Sequence, residues 1–99
     1  MMAQKLKRTR GSGNIFADLG FPTEEAKNLK MRSDLMIGIE MFYRRSGLAR
    51  TRAAKRLGIT QTRLNALLKG KIGEFSLDAL VNIANRAGLK IRLVIREAA

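Results

Sequence analysis

The 99-residue sequence has no cysteine, no histidine and no tryptophan, and a single proline. Without Cys or His there is no disulfide framework, zinc finger, thiol nucleophile or imidazole base, and neither a metal site nor a cofactor is expected. Acids are scarce, 8 Asp plus Glu in all, and scattered. The only adjacent pair, Glu24-Glu25, sits at a helix start with its carboxylates in different directions. No nucleophile–base pair or metal-nuclease cluster emerges from spacing, so an enzyme is not expected. Aromatics number only 4 Phe and 1 Tyr, and none lies between Arg44 and Lys71. The stacking platforms of a single-stranded RNA binder are therefore missing. No apolar run approaches the 18 or more residues that a membrane span needs. Lys5, Lys7, Arg8 and Arg10 imitate the basic start of an export signal, but polar Gly11-Ser12-Gly13-Asn14 follows them. Gly11 and Gly13 do not make a dinucleotide fingerprint, because Phe16 takes the third glycine's place and no strand precedes. The expectation is a soluble cytoplasmic, nucleoid-associated protein.

What is present is positive charge. Lys plus Arg number 20, for a net charge of +12 and a pI near 11.4. From Met41 to Gly73 there is no acid, while Arg44, Arg45, Arg50, Arg52, Lys55, Arg56, Arg63, Lys69 and Lys71 supply nine positive charges. Residues 1–10 add four more. A packed segment so loaded repels itself, and most surfaces intersperse acids to avoid this. A polyanionic partner, with nucleic acid ahead of an anionic membrane, is the physical reading. A hydrophobic content of 45% indicates a folded chain, and the length suits one domain.

Along the chain, residues 1–12 read as a flexible basic arm that tracks DNA or merely solubilises the chain, and 13–99 as a single domain. Asn14 caps a short turn that stops at Gly20. Thr23 is the expected N-cap of a helix running to about Arg45 and ending by Gly47, with Glu24 and Glu25 favoured in its first turn. Leu35, Ile39 and Phe42 form its core stripe at i, i+4 and i+7. Met31, Met36, Ile37, Met41 and Tyr43 leave it greasy on other faces, for a wide core contact or a subunit interface. Helices follow at about Arg50–Leu57 and Gln61–Lys69, then one capped by Ser76 and closed by Gly88. Ile91, Leu93 and Ile95 alternate with Arg92, Val94 and Arg96, which suits a strand over 90–96. No second strand of comparable quality exists, so pairing between two subunits is expected, with Ile91, Leu93 and Ile95 at a homodimer interface. The sheet edge of another protein, or a return strand near Gly73–Phe75, are alternative partners for it.

Residues 50–69, RTRAAKRLGITQTRLNALLK, meet the demands of a helix-turn-helix. Ala54 is small where the helices cross, Ala53 and Leu57 bury the first helix, and Gly58 permits the positive φ of a sharp reversal. Ile59 plugs the turn, Thr60 caps the second helix, and Leu64 with Leu67 anchors it. That helix enters a major groove by its N-terminal half, so Gln61, Thr62, Arg63, Asn65 and Ala66 are the candidate base readers. Gln61 and Asn65 can pair adenine edges, Arg63 guanine or a phosphate, and Ala66 a thymine methyl. Arg50, Arg52, Lys69 and Lys71 are the candidate phosphate contacts. Arg50 and Arg52 oppose the helix dipole, a poor choice for stability but a good anion clamp.

With these features the chain resembles the XRE-type, lambda-repressor-like helix-turn-helix family. The resemblance implies a mainly all-α, five-helix domain. The opening SGNIFADLGFPTEEA, residues 12–26, and the core over 47–80 are similar to the HigA-like branch of small antitoxins. The resemblance covers residues 12 to about 96. It implies a homodimer that binds an inverted repeat in double-stranded DNA, represses its own operon, and neutralises a RelE/HigB-like toxin. Where the family commonly has Ser or Thr, often followed by Gln, this chain has Ala49 and Arg50. A plain transcription regulator without a toxin, or a neutraliser that acts on protein alone, are the alternatives.

Overall fold

The computed structural model describes residues 13–97. Five α-helices and one 3-10 turn follow in order: α1 (Ile15–Asp18), α2 (Thr23–Ser46), α3 (Arg50–Leu57), α4 (Gln61–Leu68), the turn Ile72–Glu74, and α5 (Leu77–Arg86). The mainly all-α expectation and the expected helix-turn-helix boundaries hold. The proposed basic arm, residues 1–12, lies outside the described residues.

Asn14 caps α1, its Oδ1 accepting from Phe16 N at 2.9 Å and Ala17 N at 3.3 Å. Its Nδ2 donates to Ala26 O at 3.0 Å, which fastens this turn to α2. At the start of α2 the expected cap moves by one residue. Ala26 N already donates to Pro22 O at 2.8 Å, so Pro22 is the N-cap and Thr23 is the first helical residue without a capping bond. Glu24 and Glu25 do lie in the first turn, where the dipole favours them. Gly47, at φ 70°, ends the helix.

The core stripe of α2 is rotated from the one expected. Ala26, Leu29, Met36 and Ile39 are buried, whereas Leu35 and Phe42 pack on the core only in part. Ile39 belongs to both spacings, and the position of α5 and α4 around α2 decides which neighbours share its burial. Met31, Ile37 and Met41 stay exposed.

Around Ile39 gather Ala53, Ala54 and Leu57 of α3, Leu64, Ala66 and Leu67 of α4, Phe75, and Leu80, Ile83 and Ala84 of α5. Burying a Leu or Phe side chain contributes about 1.5–3 kcal/mol. Phe75 is among the largest fully buried side chains, although it sits in a loop. Ser76 caps α5 by accepting from Ala79 N at 3.1 Å.

Residues 90–96 form no strand, and none occurs among the described residues. A strand exists only as part of a hydrogen-bonded ladder, and the described residues of one chain offer no partner. The return strand considered near Gly73–Phe75 is instead the 3-10 turn, closed by Glu74 N to Lys71 O at 3.0 Å. Arg32 Nη1 caps that turn, donating to Ile72 O at 3.3 Å and Phe75 O at 3.1 Å.

Candidate nucleic-acid interface

Three residues join α3 to α4. Gly58 adopts φ 73°, and Ile59 N donates back to Ala54 O at 3.0 Å while Gly58 N donates to Lys55 O at 3.2 Å. This pair of bonds closes α3 and turns the chain sharply. A Cβ on Gly58 would also collide with the Arg86 guanidinium from α5. Glycine is thus required by torsion, and the crowding by Arg86, a flexible side chain, adds a smaller cost. Ile59 packs partly on the core, and Thr60 Oγ1 accepts from Arg63 N at 3.0 Å. At the far end of α4 Gly70 takes φ 74°, and Lys71 N reaches Ala66 O at 3.1 Å.

Burial then sorts α4 by face. Leu64 and Leu67 are buried, as their spacing predicts. Gln61 and Thr62 are exposed side by side on the opposite face, and Asn65 is half-buried beside them. Ala66 departs from expectation: at 8% exposure it belongs to the core cluster, because its side of α4 faces the rest of the domain. A methyl so placed offers no thymine contact. Arg63 departs too. Its guanidinium lies 4.2 Å from the Phe75 ring centroid, and its Nη1 donates to Glu74 O at 2.7 Å. The side chain is held against the loop at Glu74 and Phe75.

The candidate phosphate contacts are exposed. Arg52 lines a shallow recess with Lys55 and Arg56, and Arg56 sits 5.5 Å from the Phe42 ring centroid. Lys71 approaches Glu74 at 3.9 Å, both side chains about half exposed, so the ion pair is weak and easily exchanged. Arg50 does something that its position in sequence does not announce. Its Nη1 donates to Asn65 Oδ1 at 2.6 Å, linking the first turn of α3 to α4. The α3 N-cap, Ala49, makes no side-chain bond of its own.

Arg50 and Asn65 sit on a recess whose other walls are Tyr43, Arg44, Leu68 and Lys69. Arg44 was missed by sequence reasoning as a site residue, since it lies at the end of α2, far along the chain from α4. Its only signal was membership of the acid-free basic run. It pairs with Glu40 at 2.7 Å on its own helix. No helix among the described residues is long and apolar enough to cross a membrane.

Residues 15–96 match the family described as "Helix-turn-helix domain". No curated protein matches the chain. Among solved structures, one assigned to the XRE family of transcriptional regulators is similar at a TM-score of 0.69 and 28% identity. The match covers 75% of this chain and 83% of that one. The two short helices joined by the glycine turn at Gly58 and the matched span together show that the chain belongs to the helix-turn-helix domain family.

Proposed function

We propose that the protein is a sequence-specific double-stranded DNA-binding repressor of transcription. The observation that carries this reading is the polar strip on α4, with Gln61 and Thr62 exposed and Asn65 half-buried beside them, set within a surface to which residues 41–73 contribute no acid. Gln61 and Thr62 read base edges from the N-terminal half of α4, while Arg52, Lys69 and Lys71 hold flanking phosphates. Binding to an inverted repeat in the protein's own promoter tests this by fluorescence anisotropy over a salt series. The affinity is expected to fall steeply with salt and to exceed that for random DNA throughout. Equal affinity for both DNAs at every salt concentration refutes sequence-specific recognition.

The working unit in this reading is a homodimer, paired through residues 90–96. Support comes from the apolar side chains that one chain leaves open: Ile91, Leu93 and Ile95 are 43%, 77% and 83% exposed. Antiparallel pairing across a two-fold axis satisfies their backbone and covers them. It also suits two α4 helices set about 34 Å apart, one per successive major groove.

The finer role is that of an antitoxin. It rests on the likeness of residues 12–26 to the HigA-like branch, and Ile15, Leu19 and Phe21 in that segment are exposed apolar residues available to a protein partner. Co-expression with the product of the adjacent reading frame tests it. Growth arrest by that product, relieved by this protein, supports the role. A neighbour that is harmless when expressed alone leaves a plain transcription regulator.

A further inference from the structure

The Arg50–Asn65 hydrogen bond changes what Asn65 offers to a base. A free Asn amide presents one acceptor and two donors, which is why it pairs bidentately with the N6 amine and N7 of adenine. Here Arg50 Nη1 donates to Asn65 Oδ1 at 2.6 Å. Arginine has no acceptor, so the orientation of the amide is not ambiguous: the oxygen faces Arg50 and Nδ2 is turned away from it. The second lone pair of Oδ1 remains, but an adenine amine approaching it meets a neighbouring guanidinium, donor against donor and positive charge against partial positive charge. The combined edge of Arg50 and Asn65 is therefore a donor surface. Guanine, with O6 and N7 both accepting in the major groove, is its complement.

We propose that Arg50 is a positioning residue which converts Asn65 from an adenine reader into a donor-only reader of guanine. The proposal rests on the reading of α4 as the groove-entering helix. It takes Arg50 away from a purely phosphate-binding role, and the recess supplies replacements, because Arg44 and Lys69 line it as well. Entry of DNA excludes water from this recess and strengthens the bond that holds the amide.

Selection from a randomised double-stranded DNA library, read by sequencing, separates the outcomes. The full-length protein is used beside Asn65→Ala, Arg50→Ala, Arg50→Lys and Gln61→Ala, each checked for helicity by circular dichroism. The base position assigned to Asn65 is the one whose preference Asn65→Ala flattens. The expected result is guanine at that position for the unmodified protein. Arg50→Ala then shifts the preference toward adenine by about tenfold. Arg50→Lys keeps a donor on Oδ1 and keeps guanine. Adenine at that position in the unmodified protein overturns the proposal. So does an Arg50→Ala protein that is less stable but unchanged in base preference, which marks the bond as a structural clamp. If Gln61→Ala flattens a position and Asn65→Ala flattens none, α4 still reads the groove and only the proposal falls. If the unmodified protein enriches no sequence, the groove reading falls with it.

Discussion

The Arg63 guanidinium stacks over Phe75 at 4.2 Å from the ring centroid, while its Nη1 donates to the Glu74 carbonyl at 2.7 Å. The middle of α4 is thereby tied to the loop that carries a core aromatic. To reach a base, Arg63 would have to give up both contacts. Arg63→Ala is expected to destabilise the fold by about 1–2 kcal/mol, the sum of a cation–π contact and a hydrogen bond. Chemical denaturation measures this. The ratio of operator to random-DNA affinity should stay unchanged, and a fall in that ratio would return Arg63 to the groove.

Gly58→Ala is expected to destabilise by about 1–2 kcal/mol from the left-handed backbone alone. The clash with Arg86 adds to this, but Arg86 is a flexible side chain and can swing aside. A double-mutant cycle with Arg86→Ala should therefore recover only the smaller share of the loss. Full recovery would show that space, not torsion, selects glycine here.

The two helices of the motif begin differently, which makes their caps a matched pair. Thr60→Ala removes the bond to Arg63 N and should cost about 1 kcal/mol. Ala49, with extended backbone at φ −65° and ψ 157° and no capping bond, invites the reverse change. Ala49→Ser is expected to raise stability by about 0.5–1 kcal/mol in thermal or denaturant unfolding.

Gln61→Ala and Lys71→Ala should separate reading from anchoring. The first is expected to cost about 1–3 kcal/mol on the operator and to relax specificity at one or two base pairs. The second should weaken all DNA alike and lower the salt slope by about 1, unless its loose pairing with Glu74 persists in the complex. Anisotropy titrations on operator and random duplexes at several salt concentrations distinguish them.

Removal of residues 91–99 tests the dimer. Leu89 must stay, because it packs against the core and its N–H donates to Ala84 O at 3.0 Å. Light scattering is expected to show a monomer with circular dichroism unchanged. A dimer that survives, with operator affinity intact, would move the interface elsewhere, for instance to exposed Met31, Ile37 and Met41 on α2.

The helix-turn-helix was legible residue by residue, because its demands are local. A small residue at 54, glycine at 58, a capping hydroxyl at 60 and leucines at 64 and 67 each answer a requirement met within a few residues. The caps Asn14 and Ser76 were legible for the same reason. The rotation of the α2 stripe was not, since Met36 and Leu35 are equally apolar and only the neighbours of α2 choose between them. Phe75 carried no periodic signal, being an isolated aromatic in a loop, and its burial depends on the core cluster that the packed helices form.

The same division runs through the candidate interface. The sequence by itself determined that α4 exists, which end of it is capped, that Gln61 and Thr62 oppose Leu64 and Leu67, and that its surroundings are basic. Periodicity and charge are properties of the chain order. Which side chains remain available to a partner was decided only by the tertiary structure. Ala66 faces the core, Arg63 is taken by Phe75 and Glu74, and Arg50 meets Asn65 across 15 positions of sequence. Long side chains such as arginine reach partners that no local spacing rule encodes, and those partners exist only after the helices have packed.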